Sequence, residues 1–194
     1  EQISGNGLKN ADSFETATRS AAFGGTTSVI SFAAQHKGQK LKDVVAEYEE
    51  CAVRGSLIDY AFHIIVSDVD TNSLVNELLE LSSHGHRSIK IFTTYNIRLA
   101  DEEILEVMSA AKKAGCLICV HAENHAIIDY ATQENLKAGN IAPKFHAIAH
   151  SRLAEAEAVS RIIRFSEFID QSVLLFHIST TEGVNLVREA RARN

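Results

Sequence analysis

Proline, cysteine and methionine are all scarce in this chain of 194 residues. Cysteine occurs only at Cys51, Cys116 and Cys119. An odd count with no regular framework argues for reduced thiols rather than disulfide staples. Cys116 and Cys119 form a C-x-x-C, which could signal redox chemistry or zinc. A redox pair normally opens a helix, whereas this one lies in an apolar run, and no second C-x-x-C completes a zinc site. Two small residues on a buried strand is the favoured reading. The one methionine is Met108 and residue 1 is Glu1, so the chain is expected to be a piece of something longer. Proline occurs once, at Pro143.

Other absences are equally informative. No run approaches the roughly 18 apolar residues that cross a bilayer. No secretory-signal pattern opens the sequence, so the expected location is cytoplasmic. The formal net charge is −6 and the pI about 5.8, with no basic cluster suited to nucleic acid. No block of one sign marks a disordered tail. The chain is 45% apolar and 23% charged, an ordinary globular composition, and is long enough for one substantial core.

What is present is a repeat. Gly25, Gly55, Gly85 and Gly115 fall 30 residues apart, each placed to end a helix before a strand. Helical periodicity marks 11–23, with Asp12 or Ser13 as cap and Phe14, Ala17, Ala21 and Ala22 inward. It recurs over 41–54, with Leu41, Val44, Val45, Tyr48 and Cys51 on one side. It marks 71–84, and 101–114 with Asp101 as cap. A longer helical region covers 124–138 and 149–168, broken near Gly139 and Pro143, and 181–192 closes the chain. Strands are predicted at 26–33, 57–66, 88–95, 117–121 and 173–178. Alternating strand and helix predicts parallel strands, in a (β/α)8 barrel or an open doubly wound sheet. No G-x-G-x-x-G follows the first strand, as a dinucleotide-binding sheet would want. The expected fold is an α/β, TIM-like barrel, incomplete here, because about five strands are visible and a whole barrel takes about 250 residues.

One strand carries an anomaly. In Ser88-Ile89-Lys90-Ile91-Phe92-Thr93-Thr94-Tyr95 an ammonium sits inside an apolar strand. Either Lys90 snorkels to water at a strand end, or something pairs with it or removes its charge. Two other apolar strands end in histidine, at His121 and at His177. A single such histidine is commonly a core residue satisfied by backbone. Two of them and a lysine at successive strand ends would converge on a barrel mouth, where functional side chains sit. Neutral imidazole is a favoured ligand of divalent transition metals. A lysine of depressed pKa is a nucleophile, and adding CO2 would make it an anionic carbamate able to bridge two metals.

These stretches, with His121-Ala122-Glu123-Asn124 and Leu175-Phe176-His177-Ile178-Ser179-Thr180 in this order, resemble the cyclic amidohydrolases, most nearly the D-hydantoinase/dihydropyrimidinase branch. The resemblance extends to Phe14-Glu15-Thr16 through Thr27 and to Glu155-Ala156-Glu157-Ala158-Val159. It implies that Lys90 is a carboxylated lysine bridging two divalent metals, expected to be zinc, with His121 and His177 on the second metal. It implies that Tyr95 donates its hydroxyl to the substrate carbonyl oxygen, and that a metal-bridging hydroxide opens a ring amide to an N-carbamoyl product. It also implies a homotetramer acting on small cyclic ureides or imides.

The chain departs from that pattern. The family's H-x-H pair on its first strand and its aspartate on the last strand have no counterpart here. The sequence is therefore expected to be one catalytic-barrel segment, 1–194, without the first and last strands and without a complete site of its own. Thr93-Thr94 stands where Met-Ala is associated with hydantoinases, which bears on substrate preference. A non-catalytic scaffold of the same family and an allantoinase- or dihydroorotase-like hydrolase are the alternatives. Glu123 could hold His121 or the helix that follows, capping being favoured, and His63 could support the site from behind, a structural role being favoured. His36, His84, His86, His125, His146 and His150 are given no part in catalysis.

Overall fold

Among the described residues five strands pair side by side in sequence order, all parallel. A computed structural model describes residues 11–193, so Glu1 and Asn194, on which the expectation about missing ends rests, lie outside the described residues. The strands are β1 (Ser28–Ala34), β2 (Asp59–Ile65), β3 (Ser88–Phe92), β4 (Leu117–His121) and β5 (Val173–Leu175). The helices are α1 (Phe14–Phe23), α2 (Leu41–Gly55), α3 (Leu74–Ser83), α4 (Asp101–Ala114), α5 (His125–Lys137), α6 (Lys144–Ala149), α7 (Arg152–Ile169) and α8 (Thr181–Arg191). Parallel crossovers are right-handed, so a sheet whose order never reverses keeps its helices on one face. A doubly wound sheet would show a reversal. The sheet is thus an arc of consecutive barrel strands, as the βα repeat predicts.

The core lies between that arc and its helices. On the helix-facing side Ile64 pairs with Ile89, Ile89 with Ile118, and Ile91 with Val120, all fully buried. Leu78, Ile104, Val107, Met108, Val159 and Ile162 cover them. Each such side chain contributes about 1.5–3 kcal/mol by leaving water. The opposite face carries Ile30, Phe32, Leu117 and Leu174, all exposed, together with His63, Lys90 and Cys119.

Several boundaries differ from expectation for local reasons. Asp101 does not cap α4; Ala100 is the cap residue, and Glu103 Oε2 accepts its N–H at 2.7 Å. Asp101 instead pairs with Arg161 of α7. The helix expected from residue 71 starts at Leu74, because Asp70 folds the preceding turn by accepting from Asn72 N and Ser73 Oγ. Gly25, Gly85 and Gly115 have positive φ, but Gly55 remains inside α2. It gives close approach: a Cβ there would stand 3.1 Å from Glu15 N on α1. Helix α1 buries Thr18, not Ala17, Ala21 or Ala22, since it meets the core mainly through Phe14. On α2 the stripe continues through Ala52, and Cys51 is exposed. The break between α5 and α7 holds the short helix α6, with Pro143 at its N-terminus.

Candidate active site

Lys90 is the central residue of β3, between two isoleucines that face the helices. Period-2 alternation puts it on the other face. It is only 1% exposed, and its Nζ has no hydrogen-bond partner among the described residues. The amine does not snorkel; it is enclosed by aromatic rings, 4.6 Å from the centroid of Phe92 and 4.2 Å from that of Phe176. A ring face stabilises a desolvated ammonium by about 2 kcal/mol, less than the several kcal/mol that burying the charge costs. Burial accordingly pulls the Lys90 pKa down to about 8, partly opposed by Cys119, its neighbour on β4. At pH 7 the group is still mostly ammonium, with a larger free-amine fraction than an ordinary lysine carries.

His121 closes β4 in register with Phe92, and the two rings stack 5.5 Å apart. Its Nδ1 lies 3.0 Å from His177 Nε2, and its Nε2 donates to Glu123 Oε2 at 2.7 Å. Burial lowers the His121 pKa, against the pull of Glu123, which favours the neutral ring at pH 7. Burial works to raise the Glu123 pKa, but hydrogen bonds from His150 and His121 outweigh it and hold the group as a carboxylate. Its backbone is clamped to the exit of β3: Glu123 N donates to Thr93 Oγ1 at 2.9 Å, and that hydroxyl donates to Glu123 O at 2.7 Å. Asn124, not Glu123, caps α5, accepting from Ile127 N at 3.0 Å. The expectation of a capping role for Glu123 is corrected by its turn toward His121.

His177 does not end a strand. β5 stops at Leu175, one further bond joins Phe176 N to Val120 O, and His177 then turns away with φ of 39°. Glu155, buried on α7, holds the turn. Its carboxylate accepts from the backbone N–H groups of Ser179 and Thr180, each at 2.9 Å. Thr180 then caps α8. Tyr95, also with positive φ at 68°, puts its ring 5.1 Å from that of His121. Burial and the nearby Glu123 raise its phenol pKa, so it keeps its proton.

Of the predicted residues, His121 and His177 share one cleft, while Lys90 and Tyr95 do not line it and lie beside it, against Phe92 and Phe176 and against the His121 ring. His121, Glu123, His150, Glu155, His177 and Thr180 line a cleft of about 270 Å³. Sequence reasoning missed the contributions of Glu155, His150 and Phe176. Only the Glu155-Ala156-Glu157-Ala158 stretch that carries part of the family resemblance pointed toward one of them. His63 bonds Ser88 Oγ at 2.5 Å on the same face as Lys90.

Among the described residues, no three His, Cys, Asp or Glu side chains group to hold a metal ion. Two of the donors present are nevertheless spaced about as the nitrogens of one metal site are. Two zinc-bound nitrogens of a tetrahedral site stand roughly 3.3 Å apart, given bonds of about 2.0–2.1 Å. The facing nitrogens of His121 and His177 are 3.0 Å apart. The second nitrogen of His121 rests on a carboxylate, as metal-bound imidazoles usually do. Lys90 is a buried polar group without a hydrogen-bond partner among the described residues.

No protein-family model matches the chain. It is 36% identical over 187 residues to the D-hydantoinase of Rhizobium radiobacter, spanning 95% of this chain and 41% of that protein. It is 38% identical to the D-hydantoinase of Streptomyces coelicolor, spanning 95% and 40%. Its fold superposes on D-hydantoinase from Bacillus sp. AR9 with a TM-score of 0.93 at 36% identity, spanning 98% of this chain and 42% of that one. On dihydropyrimidinase from Brevibacillus agri the TM-score is 0.91 at 36% identity, spanning 94% and 40%. The chain thus spans about two fifths of the length of these relatives. Over that segment the resemblance to hydantoinases and dihydropyrimidinases holds in sequence and in fold.

Proposed function

We propose that this chain is the lysine-bearing segment of a metal-dependent cyclic amidohydrolase. The whole protein would open the ring amide of hydantoins or dihydropyrimidines to N-carbamoyl amino acids. The supporting observation is Lys90: a strand-centre amine, 1% exposed, with no partner for Nζ among the described residues and a pKa of about 8. A buried ammonium is a liability, whereas a carbamate on the same atom is an anionic bidentate ligand.

In this reading carboxylated Lys90, His121 and His177 would hold the metals, with the remaining ligands from outside this segment. Two divalent cations, zinc in our reading, would polarise the ring carbonyl and lower the pKa of water toward neutrality. The chain's own side chains supply the setting. Phe92 and Phe176 exclude water from the lysine. Glu123 and Glu155 hold the two histidines. Tyr95 keeps its phenolic proton and directs it to the carbonyl oxygen of the substrate as negative charge develops there. Thr93, in place of a methionine, ties β3 to Glu123. The substrate would be a small cyclic ureide or imide, and the working form a cytoplasmic homotetramer.

The test is a panel of ring substrates given to the whole parent protein supplied with zinc and bicarbonate: hydantoins, dihydropyrimidines, allantoin and dihydroorotate. Opening of the first two, abolished in Lys90→Ala, is expected. Opening only of allantoin or dihydroorotate would move the protein to another branch. No ring opened, with metal bound, would make it a scaffold and sink the hydrolase reading.

A further inference from the structure

Glu123 touches two histidines. One carboxylate oxygen takes His121 Nε2 at 2.7 Å, the other takes His150 Nδ1 at 2.9 Å. His150 ends α6, 27 residues further along the chain, and both it and Glu123 are only 16% exposed in their side chains. An ionised carboxylate has no proton to give, so both nitrogens on it must carry hydrogen. A neutral His121 with hydrogen on Nε2 has a bare lone pair on Nδ1. That is the atom facing His177, so the 3.0 Å contact requires the hydrogen to sit on His177 Nε2. One carboxylate thereby dictates the tautomers of three histidines.

We propose that His150 is a positioning residue of this site. Through Glu123 it fixes His121 as the Nε2–H tautomer and aims the Nδ1 lone pair into the space shared with His177. The backbone of Glu123 is already clamped by Thr93, so what His150 adds is the side-chain torsion. With its second oxygen unsatisfied, the carboxylate would be free to turn to water, and His121 could then take either tautomer. A ligand needs the bare nitrogen pointed at the metal, and groups of this kind typically change metal affinity by about 10–100-fold. The link to metal rests on the function proposed above; the tautomer assignment does not.

The experiment uses the whole parent protein, metal-free and labelled with 15N-histidine, and reads tautomers from long-range proton–nitrogen correlations. Expected in the wild type are hydrogen on Nε2 of His121 and on Nδ1 of His150. His150→Ala should leave His121 as a mixture and weaken zinc binding about tenfold in a chelator-competition titration. His150→Asn, whose amide can donate from nearly the place of Nδ1, should restore both. It also keeps the test decisive if the alanine variant fails to fold. A wild-type His121 carrying hydrogen on Nδ1 would overturn the proposal. So would a folded His150→Ala chain with unchanged tautomer and zinc affinity, or a folded His150→Asn chain with mixed tautomers. Wild-type tautomers as derived with no zinc binding would support the positioning role and count against the metal reading alone.

Discussion

The Nζ atom of Lys90 on β3 lies 4.2 Å from the ring centroid of Phe176, one residue past the end of β5. The side chain and the ring meet across the intervening strand β4. They share the face of the sheet that the helices do not cover. The ring shuts water away from a group that would otherwise be solvated, and the rest of the site is arranged around that enclosure.

A pH-dependent stability follows from Lys90. Its folded pKa is depressed from 10.5 to about 8. Between those values the unfolded chain binds the extra proton, so stability rises with pH across this window. Below about pH 8 the amine is charged in both states and the penalty is constant. Lys90→Met, in metal-free buffer purged of CO2, should be more stable than the wild type at pH 7, by up to about 3 kcal/mol. The gap should close toward pH 10.5. Urea denaturation at several pH values measures it, and a gap independent of pH would contradict the depressed pKa.

Gly183 in the first turn of α8 has no room for a side chain. A Cβ there would stand 2.8 Å from Glu155 Oε1 and 2.9 Å from Ile178 Cγ2. Gly183→Ala should therefore destabilise the chain by about 1–3 kcal/mol despite alanine's better helix propensity. It should also loosen the turn that carries His177. A neutral or stabilising effect in thermal unfolding would show that Glu155 does not grip this loop.

The thiols should divide into one fast and two slow. Cys51 is exposed, whereas Cys116 and Cys119 are buried, and burial raises the pKa of both buried thiols. A thiol-reactive dye added to native protein should label Cys51 first, the other two following only with unfolding. Rapid labelling of all three would mean that β4 opens readily.

Much of this was legible in the sequence, and the misses have physical causes. The 30-residue glycine spacing and the apolar strands predicted the parallel arc, because each βα unit specifies itself locally. β4 was predicted to the residue, and Lys90 was conspicuous because a charge inside an apolar strand demands an explanation. What could not be read locally was set by distant partners. Asp101 looks like a cap, but Arg161 on another helix claims it. Glu123 looks like a cap, but Asn124 takes that role and frees it for His121 and His150. His177 reads as the end of a strand, but Glu155 on α7 pulls the chain into a turn just before it would be. None of these three carboxylates advertises its partner through spacing.

Tyr95 should matter to the transition state more than to binding. In the whole parent enzyme, Tyr95→Phe should lower kcat by about 10²–10³-fold with little change in KM, as loss of a donor to a developing oxyanion does. Steady-state kinetics on a hydantoin or dihydropyrimidine decides it. A change confined to KM would make Tyr95 a binding residue instead.

The most direct test of the central claim is carbon-13 NMR of the protein loaded with zinc and 13C-bicarbonate. A protein-bound carbamate resonance at one per chain, absent in Lys90→Ala and lost on acidification, is expected. No such resonance in the wild type, with zinc bound, would show that Lys90 stays an amine and that the metal site is not built as described.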